Sequence, residues 1–164
     1  MMADKKKFSH ISNEGKVRMV NVERKRSSVR TARAEATVHL GEKIAEMLKR
    51  TGSVGKGNVM ETARIAGIMA AKRTSGLIPM CHPLDVDVVD IDMKLAGGDL
   101  KIESLVRCEG KTGVEMEAMV AVSVAALTVY DMCKSAGKGI TIEHVRLLEK
   151  TGGKSGHWKV QEAE

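Results

Sequence analysis

Aromatic side chains are scarce: Phe8, Tyr130 and Trp158 are the only three in 164 residues. So few rings cannot form the series of stacking platforms that single-stranded nucleic acid needs. Cysteine is as sparse. Cys81, Cys108 and Cys133 are odd in number and show no CxxC spacing, which suits a reducing cytoplasm better than a disulfide framework. A long apolar run is missing too. The longest, residues 118–130, is interrupted by Ser123 and Thr128 and is too short and too acid-flanked to be a membrane span. Residues 1–7 are lysine-rich with no apolar stretch behind them, so no signal peptide is expected.

What is present is an ordinary globular composition, 43% hydrophobic and 29% charged, which excludes a disordered or collagen-like chain. The length points to a single domain over residues 1–164, with mobile termini at about 1–15 and 157–164. A net charge of +6 and a pI near 9.3 invite a nucleic-acid reading, but the excess is local. Residues 1–33 hold ten Lys/Arg and three acids, which leaves seventeen bases against eighteen acids in the rest. A solvated basic arm on a nearly neutral body is expected.

The alternation Ala32, Ala34, Ala36, Val38, Leu40 reads as a strand with one buried face. A helix follows over residues 42–50 and stops at Gly52. Gly52, Gly55 and Gly57 make a flexible loop around Lys56. Asn58, with Glu61 three positions on, is a capping box opening a helix to about residue 73. Pro79 and Pro83, the only prolines, hold Met80-Cys81-His82 stiff and non-helical. Residues 86–95 and 100–108 flank Gly97-Gly98-Asp99 as a hairpin, and a phase slip between Val88 and Val89 suggests a bulge. Residues 114–136 form a long helix, apolar almost all round, and residues 140–148 a last strand. The order strand, two helices, hairpin, helix, strand points to an antiparallel α+β sandwich with helices on one face.

Residues 110–113 (Gly-Lys-Thr-Gly) and 153–156 (Gly-Lys-Ser-Gly) hint at phosphate loops. A Walker loop needs glycine at 105 or 148, where leucine stands, so neither is one. The first still precedes a helix whose free N–H groups could hold an anion. Glu115 and Glu117 sit in its first turn, and one of them is expected to cap it. Asp131 and Lys134 share a helical face, either as an exposed ion pair or looking into a cleft where a carboxylate could exchange protons. Glu117 and Asp131 lie fourteen residues apart, about 21 Å along the helix, so a site using both would form between subunits. Cys81-His82 without a second Cys/His cluster is a poor metal site, and His82 reads better as a positioned donor or proton carrier. Lys56, Lys72-Arg73, Lys150 and Lys154 would together suit a polyphosphate.

At these residues the chain resembles a known family. Lys56-Gly57-Asn58-Val59, residues 63–74, residues 77–84 (Leu-Ile-Pro-Met-Cys-His-Pro-Leu), residues 111–118, residues 125–134 and residues 152–156 look like the molybdenum cofactor biosynthesis protein C family, the cyclic pyranopterin monophosphate synthases. The resemblance spans about residues 8–160. It implies a ferredoxin-like α+β fold and a homohexamer, a trimer of dimers with sites at the dimer interfaces. It implies a lyase converting a 3′,8-cyclised dihydro-GTP, supplied by an upstream radical-SAM enzyme, into cyclic pyranopterin monophosphate and pyrophosphate. By motif, Asp131 matches the proton donor/acceptor, with Lys134 beside it, and Lys56 the catalytic lysine. Met80, Cys81 and His82 match one substrate-contacting segment, and Met116 with Glu117 another. Glu115, Arg30, Lys72 and Lys150 match further pocket positions. Asn21 departs from the aspartate usual in the family. Nothing in the sequence requires a metal or cofactor, and neither nucleic acid nor a membrane is the expected partner. The alternatives are a non-catalytic nucleotide-binding scaffold and a basic nucleic-acid-binding module.

Overall fold

The alternating small residues of the first strand lie at the centre of the sheet in the computed structural model, which describes residues 14–154 and 156–161. Of the ten bases expected to form a solvated N-terminal arm, Lys5, Lys6 and Lys7 lie outside the described residues, while Arg30 and Arg33 belong to this first strand instead of an arm. Strand β1 (Ser28–His39) turns Ala32, Ala34, Ala36 and Val38 inward, each no more than 1% exposed. The long helix α4 (Glu115–Cys133) packs across this stripe and across strand β5 (Asp99–Gly110). Alanine's small volume lets the helix backbone come close, and the Ser104 hydroxyl confirms the approach by donating to the Ala118 carbonyl at 2.9 Å.

Between β1 and the hairpin run α1 (Glu42–Thr51), strands β2 (Ser53–Val54) and β3 (Gly57–Asn58), α2 (Val59–Ala71) and the short α3 (Thr74–Leu77). Gly52 ends α1 in a left-handed conformation, φ 64°, which glycine adopts without strain. The loop around Lys56 is thus a small hairpin rather than a flexible stretch. Asn58 caps the helix, its side chain accepting from the Glu61 N–H at 3.0 Å, while the Glu61 carboxylate accepts from Arg64 Nε at 3.4 Å instead of closing a capping box. Helix α2 stops at Ala71, and α3, which the residue pattern does not announce, turns the chain toward Pro79.

Strand β4 (Val88–Ala96) pairs with β5 in unbroken register from Val88↔Arg107 to Ala96↔Asp99. The bulge expected at Val88 is absent: Val88 opens the strand with its side chain outward, and the inward set starts at Val89. Irregularity occurs instead in β6 (Thr141–Thr151). Its pairing with β1 shifts twice, between Arg33 and Ala34 and between Glu35 and Thr37, and His144 takes a positive φ of 53° in the second shift. The two extra residues bring Lys150, instead of Leu148, opposite Ala32 on the helix side of the sheet. A last short strand, β7 (Trp158–Lys159), pairs with β6. It lies in the stretch expected to be a mobile terminus.

The five-stranded antiparallel sheet has the order β4-β5-β1-β6-β7, and its first four strands have the ferredoxin-like arrangement. The fold is α+β with the helices on one face. The other face is polar, carrying the Arg33–Glu103 and Arg146–Glu35 ion pairs, both at 2.6 Å. By length and composition α4 would pass for a membrane span, yet it is a core helix held between the sheet and α2.

Helix α2 runs antiparallel to α4. Lys56, just ahead of α2, meets Asp131, and Gly67 lies on Ala121 and Ala125. A Cβ at Gly67 would strike Ile91 and the Ala121 carbonyl. Gly67→Ala should therefore lower stability by about 1–2 kcal/mol in urea unfolding, because overpacking against backbone outweighs the better helix propensity of alanine. Gly76→Ala, which meets open space, should be neutral or slightly stabilising.

Candidate functional site

Helix α4 begins where β1 and β6 meet, and its first turn closes one wall of a cleft of about 590 Å³. The lining is cationic. Arg30 comes from β1, Lys150 from the end of β6, Lys111 from the loop before α4, and Lys25, Arg26 and Lys154 from the flanking segments. Unpaired N–H groups and the positive end of the helix dipole add to this field. One hydroxyl in the wall, that of Ser28, is buried with no hydrogen-bond partner among the described residues. Arg30 donates from Nε to the Gly110 carbonyl at 3.3 Å, and Lys150 bonds Glu115 at 2.8 Å. Burial raises the Glu115 pKa, but the hydrogen bond from Lys150, with the charges of Lys150 and Arg30, outweighs it and leaves the carboxyl below its ordinary value.

The sequence assigned capping to Glu115 or Glu117, and the structure corrects this. Val114 is the N-cap and no side chain caps it. Glu115 turns to Lys150 because the β6 bulges have put that lysine on the helix side of the sheet. Glu117 is 4% exposed, and burial, reinforced by the nearby Glu115 charge, pushes its pKa up.

A second cleft, of about 440 Å³, adjoins the first and shares Lys25, Thr112, Gly113 and Glu115 with it. Its other walls are Met80, Cys81 and His82, held between the two prolines, with Met116 and Glu117 of α4 and Val20 and Val22 opposite. This lining is largely apolar, with a few polar groups that could orient a flat heterocycle. Burial, and then the Glu117 carboxylate, raise the Cys81 thiol above its ordinary pKa, which makes it a poor nucleophile. Among the described residues no three His, Cys, Asp or Glu side chains gather as a metal site.

The third group lies at the far end of α4. Lys134 reaches Asp131 Oδ1 at 2.7 Å, and Lys56 Nζ donates to Asp131 Oδ2 and to the Asp131 carbonyl, each at 2.9 Å. The β2–β3 hairpin delivers Lys56 to this point. Hydrogen bonds from Lys134 and Lys56, then their charges, lower the Asp131 pKa to about 2. The Asp131 and Lys134 side chains are each 56% exposed and line neither cleft, so within one chain the pair is a surface pair and not part of a pocket.

A family model described as the MoaC family matches residues 19–153. The chain belongs to the MoaC family. MoaC proteins are an enzyme family of molybdenum cofactor biosynthesis. The residues marked by resemblance divide into two sets in this MoaC chain. Arg30, Met80, Cys81, His82, Glu115, Met116, Glu117 and Lys150 line the joined clefts, while Lys56, Asp131 and Lys134 stand together elsewhere. Lys72, the exposed C-cap of α2, lines neither cleft.

Sequence reasoning missed Lys25 and Arg26, which it counted only as part of the basic arm. It placed Lys111 in a failed phosphate loop and in a family-like stretch, but gave it no role in the site. The Lys111 ammonium bonds the Glu23 carbonyl at 3.0 Å, which ties the segment carrying Lys25 to the cleft. The MoaC departure at Asn21 keeps a local role, its side-chain oxygen accepting from the Glu23 N–H at 2.8 Å, a bond that a carboxylate makes equally well.

Asp131 should titrate near pH 2 by carboxyl-carbon NMR, and Lys134→Met should move it back toward the ordinary 3.8. The sign follows from the depressed value. Any stability the ion triad contributes is complete above about pH 3.8 and is lost as pH falls through about 2.

Proposed function

We propose that this protein is a cyclic pyranopterin monophosphate synthase, which converts 3′,8-cyclised dihydro-GTP to cyclic pyranopterin monophosphate with loss of pyrophosphate. The observation carrying this reading is the pair of joined clefts, one cationic and one apolar with a few polar groups. A nucleoside triphosphate has that same division. Its phosphates suit Arg30, Lys150 and Lys111, and its base suits the pocket between Met80–His82 and Glu117. Convergence of the basic side chains on one cleft, rather than along a stripe, favours a small polyanion over nucleic acid.

The chemistry needs proton transfers, and Asp131 with its two lysines is suited to them. In the free protein both ammonium groups hold Asp131 ionised. When a substrate oxygen takes one of them, Asp131 loses part of what depresses its pKa and becomes a stronger base, while the other lysine remains a proton donor.

Asp131 and Glu117 lie on one helix about 21 Å apart, so a single chain does not bring them to one substrate. In our reading a second copy completes the site. Met116, Leu127 and Tyr130 form an exposed apolar stripe along α4, and Ile65 and Met69 extend it on α2. Two copies of α4 packed antiparallel over this stripe bring the Asp131 end of one chain to the clefts of the other. We take three such dimers to form the hexamer, in the cytoplasm, supplied by a radical-SAM enzyme that cyclises GTP.

Supplied with the cyclised intermediate, the wild type should release pyrophosphate and the pterin, and Asp131→Asn should lose about 10²–10⁴-fold in rate. No product from the wild type would sink the assignment. Lys56 and Asp131 belong to one chain, so mixing their variants should restore nothing. Mixing Asp131→Asn with Glu117→Gln should restore about a quarter of wild-type activity, because a heterodimer keeps one intact site of two.

A further inference from the structure

We propose that Gly153, with Gly152 beside it, is a positioning residue for Arg30. The bare backbone of these two glycines is the surface on which the Arg30 side chain lies, so that its guanidinium is oriented before an anion arrives. Three observations carry this. A Cβ at Gly152 would crowd the Arg30 Cδ and strike the Val29 carbonyl, and a Cβ at Gly153 would overlap the guanidinium itself. Both glycines have positive φ, 96° and 70°, so the loop crosses the side chain in a conformation that other residues rarely adopt. From the other side Arg30 Nε donates to the Gly110 carbonyl at 3.3 Å.

The side chain is therefore held between a carbonyl and a backbone surface. Its Nη1 and Nη2 have no hydrogen-bond partner among the described residues, and Arg30 lines the cationic cleft. An arginine fixed along one edge keeps its other donors for a bidentate contact with phosphate oxygens. A side chain already immobilised loses less freedom on binding, so the geometry strengthens anion affinity without touching the anion. This rests on the reading of the cleft as the triphosphate end of the site.

Gly156 provides the control. It lies in the same loop with φ 66°, but a Cβ there meets nothing within 4 Å. Gly153→Ala and Gly156→Ala thus impose the same backbone strain, and only the first displaces Arg30. Calorimetry on the full chain with inorganic pyrophosphate should show Gly153→Ala weakening binding by about tenfold or more and Gly156→Ala by less than about twofold. Added to Arg30→Ala, Gly153→Ala should cause no further loss. The Arg30 Nε proton should exchange faster in Gly153→Ala and unchanged in Gly156→Ala, read by NMR without ligand. Equal weakening by both alanines, or a full further loss in the Arg30→Ala background, overturns the proposal. Unchanged Nε exchange in Gly153→Ala overturns the positioning while leaving the cleft reading intact. A wild type that does not bind pyrophosphate overturns the cleft reading and the anion role of Arg30 with it.

Discussion

The close packing of α4 over Ala32, Ala34 and Ala36 sets where every other functional group can stand. Three alanines in register give the helix a shallow groove, and the core around it is filled by Ile91, Leu100, Ile102 and Val106, all fully buried. Burying each large aliphatic side chain is worth about 1.5–3 kcal/mol, so this contact anchors the helix along its length. The axis of α4 then decides the two ends. Its N-terminus is held where β1 and β6 run out, and its C-terminus beside the β2–β3 hairpin. The cationic cleft forms at the first end and the Lys56–Asp131–Lys134 cluster at the second.

Charge is distributed to match. At the N-terminal end of α4 the helix dipole, Arg30 and Lys150 all favour an anion, and Glu115 is the resident carboxylate that occupies Lys150 meanwhile. A polyanionic ligand would compete for that lysine instead of entering an empty field. At the other end the hydrogen bonds and charges of two ammonium groups outweigh the smaller effect of desolvation on Asp131, and the carboxyl remains ionised. Two carboxylates on one helix, Glu117 and Asp131, thus have pKa values displaced in opposite directions by burial in one case and by paired cations in the other.

Much of the architecture was legible because period and punctuation agree. The alanine alternation, the Asn58 cap and the Gly97-Gly98 turn each act within a few residues, and each forms as read. Motif resemblance named Arg30, Met80, Cys81, His82, Glu115, Met116, Glu117 and Lys150, which line the clefts, but left out the cationic residues Lys25, Arg26 and Lys111 beside them. Three features escaped. Lys25 and Lys111 gain meaning only when the N-terminal segment folds against the loop before α4. The bulges in β6 depend on cross-strand register, which leaves no local signal in residues 143–150. The supposed capping carboxylates were misread because Lys150, thirty-five residues from Glu115, was not known to be beside it.

The sequence alone determined the long strands and helices, that one face of the sheet is buried, and which side chains carry charge. These follow from short-range preferences and from the burial of apolar side chains at fixed periods. Only the tertiary structure decided that Lys56 meets Asp131, that Arg30 lies on Gly152 and Gly153, and that Arg30, Lys111 and Lys150 line one cleft. Those outcomes depend on strand register, helix direction and backbone approach between segments far apart in the chain, which no local pattern encodes.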